Sequence, residues 1–146
     1  MSQGSEAEAK ALQPVIMRPG DAEAIRPFGI DMKVMLGAEH TGGTFSAIVA
    51  EVKPGEGPPP HLHRDREEYF FVLEGTYSLG VNGKESSIGP GTLVFVPRGT
   101  VHTYKNTSGS MGKLLDVFLN VCTVPRGTNT SVPGPIDDSL PFTPSE

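Results

Sequence analysis

Cysteine and long hydrophobic runs are nearly absent from this sequence. Cys122 is the single cysteine, so no internal disulfide can form. The longest uninterrupted apolar run, residues 69–73, is far shorter than the ~20 residues of a membrane span or the about 7 to 15 residues of a signal-peptide core. These absences predict a protein of the reducing cytoplasm that has no membrane partner.

Clusters of basic side chains are also missing. Lysine and arginine number 12 against 17 aspartate and glutamate residues, the formal net charge is −5, and no run of basic residues occurs. Such a surface repels the phosphates of nucleic acids and of anionic lipids. Neither nucleic acid nor a membrane is therefore expected as a partner.

Long uninterrupted helical segments are excluded as well, because 18 glycines and 14 prolines are spread along the 146 residues. The length fits one domain. Short apolar stretches bounded by turn residues predict strands over residues 33–36, 44–52, 68–73, 76–81, 85–88, 92–96, 102–105 and 113–121. The sequence thus predicts an all-β barrel domain over residues 31–124, with an N-terminal arm at 1–30 and an extended, proline-rich C-terminal tail at 125–146.

Two of these strands carry additional signals. Alternating residues over 76–81 lead into Asn82-Gly83, a pair that favours a two-residue hairpin turn. The run LVFV, residues 93–96, is apolar at every position. It is typical of a strand that is buried on both faces or that lies under a subunit interface.

Four histidines are the candidates for chemistry: His40, His61, His63 and His102. Since successive residues of a strand point to opposite faces, His61 and His63 project from the same side of the backbone. Glu68 begins the next strand and shares a face with Phe70 and Val72. A carboxylate at the head of an apolar strand is costly to bury unless it is paired or binds a metal ion.

The second candidate segment contains His102. A Pro-x-Gly turn at 97–99 reverses the chain, and His102 then starts the return strand with Tyr104 on the same face. Three imidazoles and one carboxylate, with no thiolate, suit one divalent transition metal ion: Fe, Mn, Ni, Cu, Co or Zn. The residue types leave the choice among these ions open.

Each of these features has a plainer interpretation. The polar residues could satisfy each other inside a turn-rich barrel, and His40, flanked by glycines, is expected in a solvated loop. Residues 64–66 read as an exposed, salt-bridged turn. Phe70 and Tyr104 would lie inside the barrel near the ion, where core packing accounts for them as well as a substrate-pocket wall does.

The two histidine segments resemble the paired motifs of the cupin superfamily. The pattern G-x5-H-x-H-x3,4-E-x6-G is matched by Gly55, His61, His63, Glu68 and Gly75, and the pattern G-x5-P-x-G-x2-H-x3-N by Gly91, Pro97, Gly99, His102 and Asn106. The resemblance implies a double-stranded β-helix, a jelly-roll barrel, whose ion is held by His61, His63, Glu68 and His102.

Residues 57–75 are similar to the single-domain cupins grouped as quercetin 2,3-dioxygenase-like. This likeness implies a metal-dependent, dioxygenase-like oxidoreductase acting on a small aromatic or enol substrate, with Glu68 as ligand and catalytic base. Small cupins also include metal-dependent isomerases and decarboxylases of small sugars or acids, and non-catalytic modules that bind a ligand or a metal. A homodimer is expected by the same resemblance.

Overall fold

Antiparallel β-strands make up nearly all of the regular structure in the computed structural model, which describes residues 11–120. The elements in chain order are β1 (Glu23–Ile25), β2 (Asp31–Leu36), α1 (Ala38–Thr41), β3 (Phe45–Val52), β4 (Glu67–Glu74), β5 (Tyr77–Val81), β6 (Lys84–Ile88), β7 (Leu93–Val96), β8 (His102–Asn106) and β9 (Gly112–Leu119). A short 3-10 turn, Pro27–Gly29, joins β1 to β2. No helix in this part of the chain is long and apolar enough to cross a membrane.

The strands form two sheets that enclose one core. Six strands pair in the order β1-β2-β3-β9-β4-β7, and three pair in the order β6-β5-β8. Alternate residues of the central strands point inward: every second residue of β9, from Gly112 to Phe118, is buried, and so are Phe70 and Val72 of β4. The chain therefore has the all-β jelly-roll architecture that the sequence predicts.

All eight predicted strands are present, with ends that shift by one or two residues. The structure adds β1, which pairs with β2 and lies within the segment predicted as an arm. Its three residues are too few to carry a periodic signal. Residues 1–10 and 121–146, which include the predicted tail and Cys122, lie outside the described residues.

The predicted hairpin between β5 and β6 is confirmed. Asn82 and Gly83 adopt φ values of 50° and 79° between the paired strands, as a two-residue turn of the favoured twist requires. Gly99 has φ of 77° in the Pro-x-Gly turn before β8. Both turns therefore form where the sequence places them.

The prediction that the LVFV strand is buried on both faces is wrong for the described chain. In β7, Val96 is buried, but Leu93 and Phe95 are 62% and 51% exposed. The strand is an edge of the six-stranded sheet, and on its outward face the ring of Phe95 stacks on that of Tyr69 at a centroid distance of 4.7 Å. The alternative prediction, a strand under a subunit interface, is compatible with this exposure.

Candidate metal centre

The two histidine segments meet because the loop before β4 runs alongside β8. The backbone N–H of Gly55 donates to the carbonyl of Asn106 at 2.8 Å, and His61 and His102 exchange backbone hydrogen bonds of 3.0 and 2.9 Å. The loop thus acts as an irregular fourth strand of the small sheet. This pairing places the side chains of two segments that are distant in sequence next to each other.

Glu68 enters the same space from the opposite sheet. It is the second residue of β4, where it lies opposite Val96 of β7 and Phe118 of β9. Its inward direction follows from the strand alternation that also buries Phe70, and its exposed fraction is 3%. The face predicted for Glu68 is therefore confirmed.

The four predicted ligands converge on one point. One ligand atom from each of His61, His63, Glu68 and His102 lies within 4.8 Å of the others, and all four residues are buried. Glu68 Oε2 is 2.6 Å from Nε2 of His102 and 3.1 Å from Nε2 of His63. The carboxylate oxygen and the imidazole nitrogens are thus close enough to bind a single ion.

Hydrogen bonds to the backbone orient two of the rings. Nδ1 of His61 donates to the carbonyl of Pro59 at 2.8 Å, and Nδ1 of His102 donates to that of Thr100 at 2.9 Å. Because a carbonyl only accepts, Nδ1 carries the proton in both rings and Nε2 is the nitrogen that faces the centre. Among the described residues, neither ring nitrogen of the buried His63 makes a hydrogen bond of good geometry. A buried imidazole in this state fits a metal ligand.

Burial and mutual charge set the protonation of the group. Burial, and next the nearby His102, lower the pKa of His61 to about 4. Burial would raise the pKa of Glu68, but the hydrogen bond from His102 and the close approach of His63, whose Nε2 is 3.1 Å from Oε2, outweigh it and hold this pKa below its usual range. Burial would lower the pKa of His102, but the hydrogen bond and the charge of Glu68 outweigh it, so this pKa is raised. At neutral pH, His61 is therefore a neutral ligand and Glu68 is ionised.

Sequence reasoning missed a second buried acid, Asp116. It occupies an inward position of β9, opposite Ile48 of β3 and Phe70 of β4, and its carboxyl group hydrogen-bonds Glu68. Burial, and then the charge of Glu68, raise the pKa of Asp116 well above its usual value. Its Oδ1 has no hydrogen-bond partner in the described chain. A buried acid whose neutral form is favoured thus lies next to the ligand carboxylate.

Phe28 is a second residue that sequence reasoning missed. It belongs to the segment between β1 and β2, and its ring centroid is 5.9 Å from that of His61. Phe70 and Tyr104, predicted as pocket lining, lie in the core with ring centroids 5.9 Å apart. Whether these two residues contact a substrate stays a prediction.

Two of the plainer interpretations need correction. Arg64 and Asp65 are exposed as expected, but Arg66 is 5% exposed and its guanidinium lies 5.5 Å from the centroid of the Phe118 ring. Arg66 lies two residues before Glu68 in an extended segment, so its side chain points inward as that of Glu68 does, which explains its burial. His40 lies outside the ligand group, in α1 rather than in a solvated loop, and its Nδ1 accepts a 3.0 Å hydrogen bond from the Gly37 N–H.

One cavity has a lining that is separate from the ligand group. It has a volume of about 250 Å³ and is formed by β1, β2 and β3. None of its lining residues belongs to the ligand group: Ala24, Ile25, Asp31, Met32, Lys33 and Glu51.

The fold and the donor set together define a class: an antiparallel β-barrel with a buried group of three histidines and one glutamate that fits a metal ion. The family described as "Cupin domain" matches residues 48–118, a range that contains all four ligands. The chain belongs to the cupin superfamily.

Parts of this chain are similar to known proteins in sequence and in fold. Quercetin 2,3-dioxygenase of Bacillus subtilis is 26% identical over 92 residues, which cover 63% of this chain but 27% of that enzyme, so the likeness spans only about a quarter of its length. The polyketide cyclase RemF of Streptomyces resistomycificus has a TM-score of 0.62 and 26% identity, and covers 75% of this chain and 86% of its own. A structure described as a predicted oxalate decarboxylase of Thermotoga maritima has a TM-score of 0.68 and 22% identity, with coverage of 73% and 100%.

Proposed function

We propose that this protein is a mononuclear metal-dependent oxidoreductase, dioxygenase-like, that acts on a small aromatic or enol substrate. The observation that carries the proposal is the convergence of four buried ligand atoms within 4.8 Å, with the likeness to quercetin 2,3-dioxygenase as support for the reaction class. His61, His63, Glu68 and His102 would hold a divalent ion, which supplies Lewis acidity toward a substrate oxygen and, if redox-active, electron transfer to oxygen.

The side chains of the barrel supply the other parts of the chemistry. Glu68 is the carboxylate of the group, and once a substrate displaces it from its hydrogen bond with His102 it can accept the proton of an acidic substrate hydroxyl. The Nδ1 bonds of His61 and His102 fix their rings, so these ligands need little rearrangement. Phe70 and Tyr104 belong to the buried apolar core and lie two residues beyond Glu68 and His102 on the same strands, where apolar surface would keep water from competing for the centre.

A decarboxylase or isomerase is the second candidate, and Asp116 is the observation that favours it. Both reactions return a proton to carbon, and the carboxyl group of Asp116, hydrogen-bonded to Glu68, is a buried proton source next to the ligands. A non-catalytic module that binds a metal or a small ligand is the third candidate function.

The cytoplasmic location also remains a prediction, since it depends on the single cysteine.

Metal binding and variants of the ligands test the first part of the proposal. Protein that has been stripped of metal is titrated with each candidate ion in turn, and the stoichiometry and Kd are measured. We expect one ion per chain, and we expect Glu68→Gln and His63→Ala to weaken binding by more than about 100-fold, the upper end of the loss caused by removing an outer hydrogen-bond partner. His40→Ala is the matched control, because His40 lies outside the group, and it should bind as the wild type does.

Oxygen uptake separates the reaction classes. The loaded protein is mixed with flavonols and other enols, with and without oxygen, and oxygen consumption and product formation are followed. Uptake that requires both substrate and an intact Glu68 supports the dioxygenase. Release of CO2 from small acids without oxygen would favour the decarboxylase instead, and metal binding with neither reaction would leave the non-catalytic module.

A further inference from the structure

Phe28 stands at the most open side of the ligand group. His61 is 9% exposed, whereas the other three ligands are 1–3% exposed, so the group is reached from solvent past His61. The ring of Phe28 lies against His61, with the ring planes inclined by 53°, and Phe28 itself is 39% exposed. One aromatic side chain therefore contacts both the solvent and a metal ligand.

The backbone holds this ring in place at a cost. Phe28 has φ of 53° and ψ of 24°, the left-handed region that bulky residues rarely adopt. Hydrogen bonds on either side stabilise the turn: Gly29 N–H to the Arg26 carbonyl at 3.2 Å and Ile30 N–H to the Pro27 carbonyl at 3.0 Å. Ile30 is fully buried in the core and anchors the segment.

The exposure of the ring makes packing a poor explanation for the strained backbone. A side chain that is 39% exposed gains only part of the free energy of burial that would offset the strain. Strained backbone persists where the surrounding structure determines it, and it is concentrated at ligand-binding sites. The position of the ring beside His61 is thus the feature that requires an explanation.

We propose that Phe28 determines substrate specificity: its ring forms the wall of the entrance beside His61 and packs on a planar, unsaturated substrate whose oxygen reaches the ligand group. Aromatic rings attract each other at centroid distances of about 4.5–7 Å, and a substrate next to His61 lies within that distance of Phe28. A substrate without a planar face gains nothing from this contact. The inference depends on the proposed metal centre, and it assigns to that centre a preference for flat substrates.

Ligand binding to the cobalt-loaded protein tests the inference without any turnover. Co²⁺ has visible absorption bands that change when an added ligand enters its coordination sphere. Two oxygen chelators are titrated: tropolone, which is planar and aromatic, and acetohydroxamate, which is small and aliphatic. The titrations use the wild type, Phe28→Leu, which keeps the bulk but loses the ring, and Phe28→Tyr, which keeps the ring.

We expect Phe28→Leu to weaken tropolone binding by about three- to ten-fold and to leave acetohydroxamate binding unchanged, whereas Phe28→Tyr restores the wild-type affinity for tropolone. Equal changes for both chelators in Phe28→Leu, or a loss in Phe28→Tyr as large as in Phe28→Leu, would overturn the role of the ring. If the wild type takes up Co²⁺ and Phe28→Leu changes nothing, only this inference is wrong. If the wild type takes up neither Co²⁺ nor any other candidate ion, the metal centre is wrong and this inference is overturned with it.

Discussion

A single proton between Glu68 and His102 competes directly with a metal ion. Glu68 raises the pKa of His102, so this ring holds its proton to a higher pH than an ordinary imidazole does, whereas the pKa of His61, about 4, leaves that ring unprotonated at neutral pH. Since a ligand nitrogen must be deprotonated, we expect ion binding to displace the proton that His102 carries, and we expect the number of protons released to rise as the pH is lowered. Calorimetric titration in two buffers of different ionisation enthalpy measures this number. The affinity should fall as the pH is lowered.

Asp116 provides the control for the source of this proton, because burial and the charge of Glu68 also favour the protonated form of its carboxyl group. Asp116→Asn keeps a neutral side chain that can donate a hydrogen bond to Glu68 but has no proton to release. If the number of protons released stays the same in this variant, the proton comes from His102. A fall to nearly zero would assign the proton to Asp116 and contradict the prediction.

Strand alternation and motif spacing were sufficient to predict the four ligands, but not the residues around them. Asp116 had a usable signal, since it is an acid in an apolar run at the same parity as Leu114 and Phe118, and the argument applied to Glu68 holds for it as well. The inward direction of Arg66 was likewise indicated, because Arg66 lies two residues from Glu68. Phe28 had no signal, because its contact with His61 depends on where the segment before β2 crosses the barrel.

At the scale of elements, the loop that carries His61 and His63 depends on close contact with β8. A methyl group on Gly57 would overlap the backbone carbonyl of Tyr104, and neither backbone can move easily, because Thr103 Oγ1 donates to the Pro58 carbonyl at 2.6 Å. We expect Gly57→Ala to lower the free energy of unfolding by about 1–3 kcal/mol. It should also weaken metal binding, because it separates His61 from His102. Denaturant unfolding and metal titration measure the two effects.

Gly89→Ala is the matched control for Gly57→Ala. A Cβ at Gly89 meets nothing within 4 Å, and its backbone does not require a positive φ, so the variant should stay within about 0.5 kcal/mol of the wild type. If Gly57→Ala were as stable as Gly89→Ala, the close approach of the loop to β8 would not be a constraint on the fold.

The strands were predictable because each combines an apolar pattern with turn residues at its ends, and the β5–β6 hairpin is the best example. Two properties depend on tertiary structure and were not predictable. Sequence cannot place β7 at an edge, so its apolar residues were expected to be buried. It also cannot show that the loop at 55–63 pairs with β8, since that loop has the composition of a turn rather than of a strand.

At the scale of the whole molecule, the outer face of the six-stranded sheet is largely apolar. Paired residues of neighbouring strands form continuous rows across it: Val49, Leu115, Phe71 and Leu93 in one row, and Ala47, Val117, Tyr69 and Phe95 in the next. The six strands are three to eight residues long and about 4.8 Å apart, which gives a face on the order of 600 Å². This size approaches the roughly 800 Å² that each partner buries in a stable complex.

We propose that a second copy of the chain covers this face in a two-fold symmetric homodimer, since an apolar face is complementary to itself. Sedimentation of the wild type should give a dimer. Leu93→Lys combined with Phe95→Lys should shift it to a monomer, because both residues are more than half exposed on β7. Leu12→Lys, at an equally exposed apolar residue outside the strands, is the control and should remain dimeric. A wild type that stays monomeric at every concentration contradicts the proposal.

The carbonyl groups of Pro59 and Thr100 have a consequence for the energetics of the barrel as a whole. They hold the rings of His61 and His102 in one tautomer and one direction through bonds that do not involve an ion. The conformational entropy of ordering these ligands is therefore lost when the chain folds, not when a metal ion binds. Loading and unloading of the centre then change its charge and chemistry while the shape of the barrel stays the same, and ions that differ in size meet one preformed set of ligands.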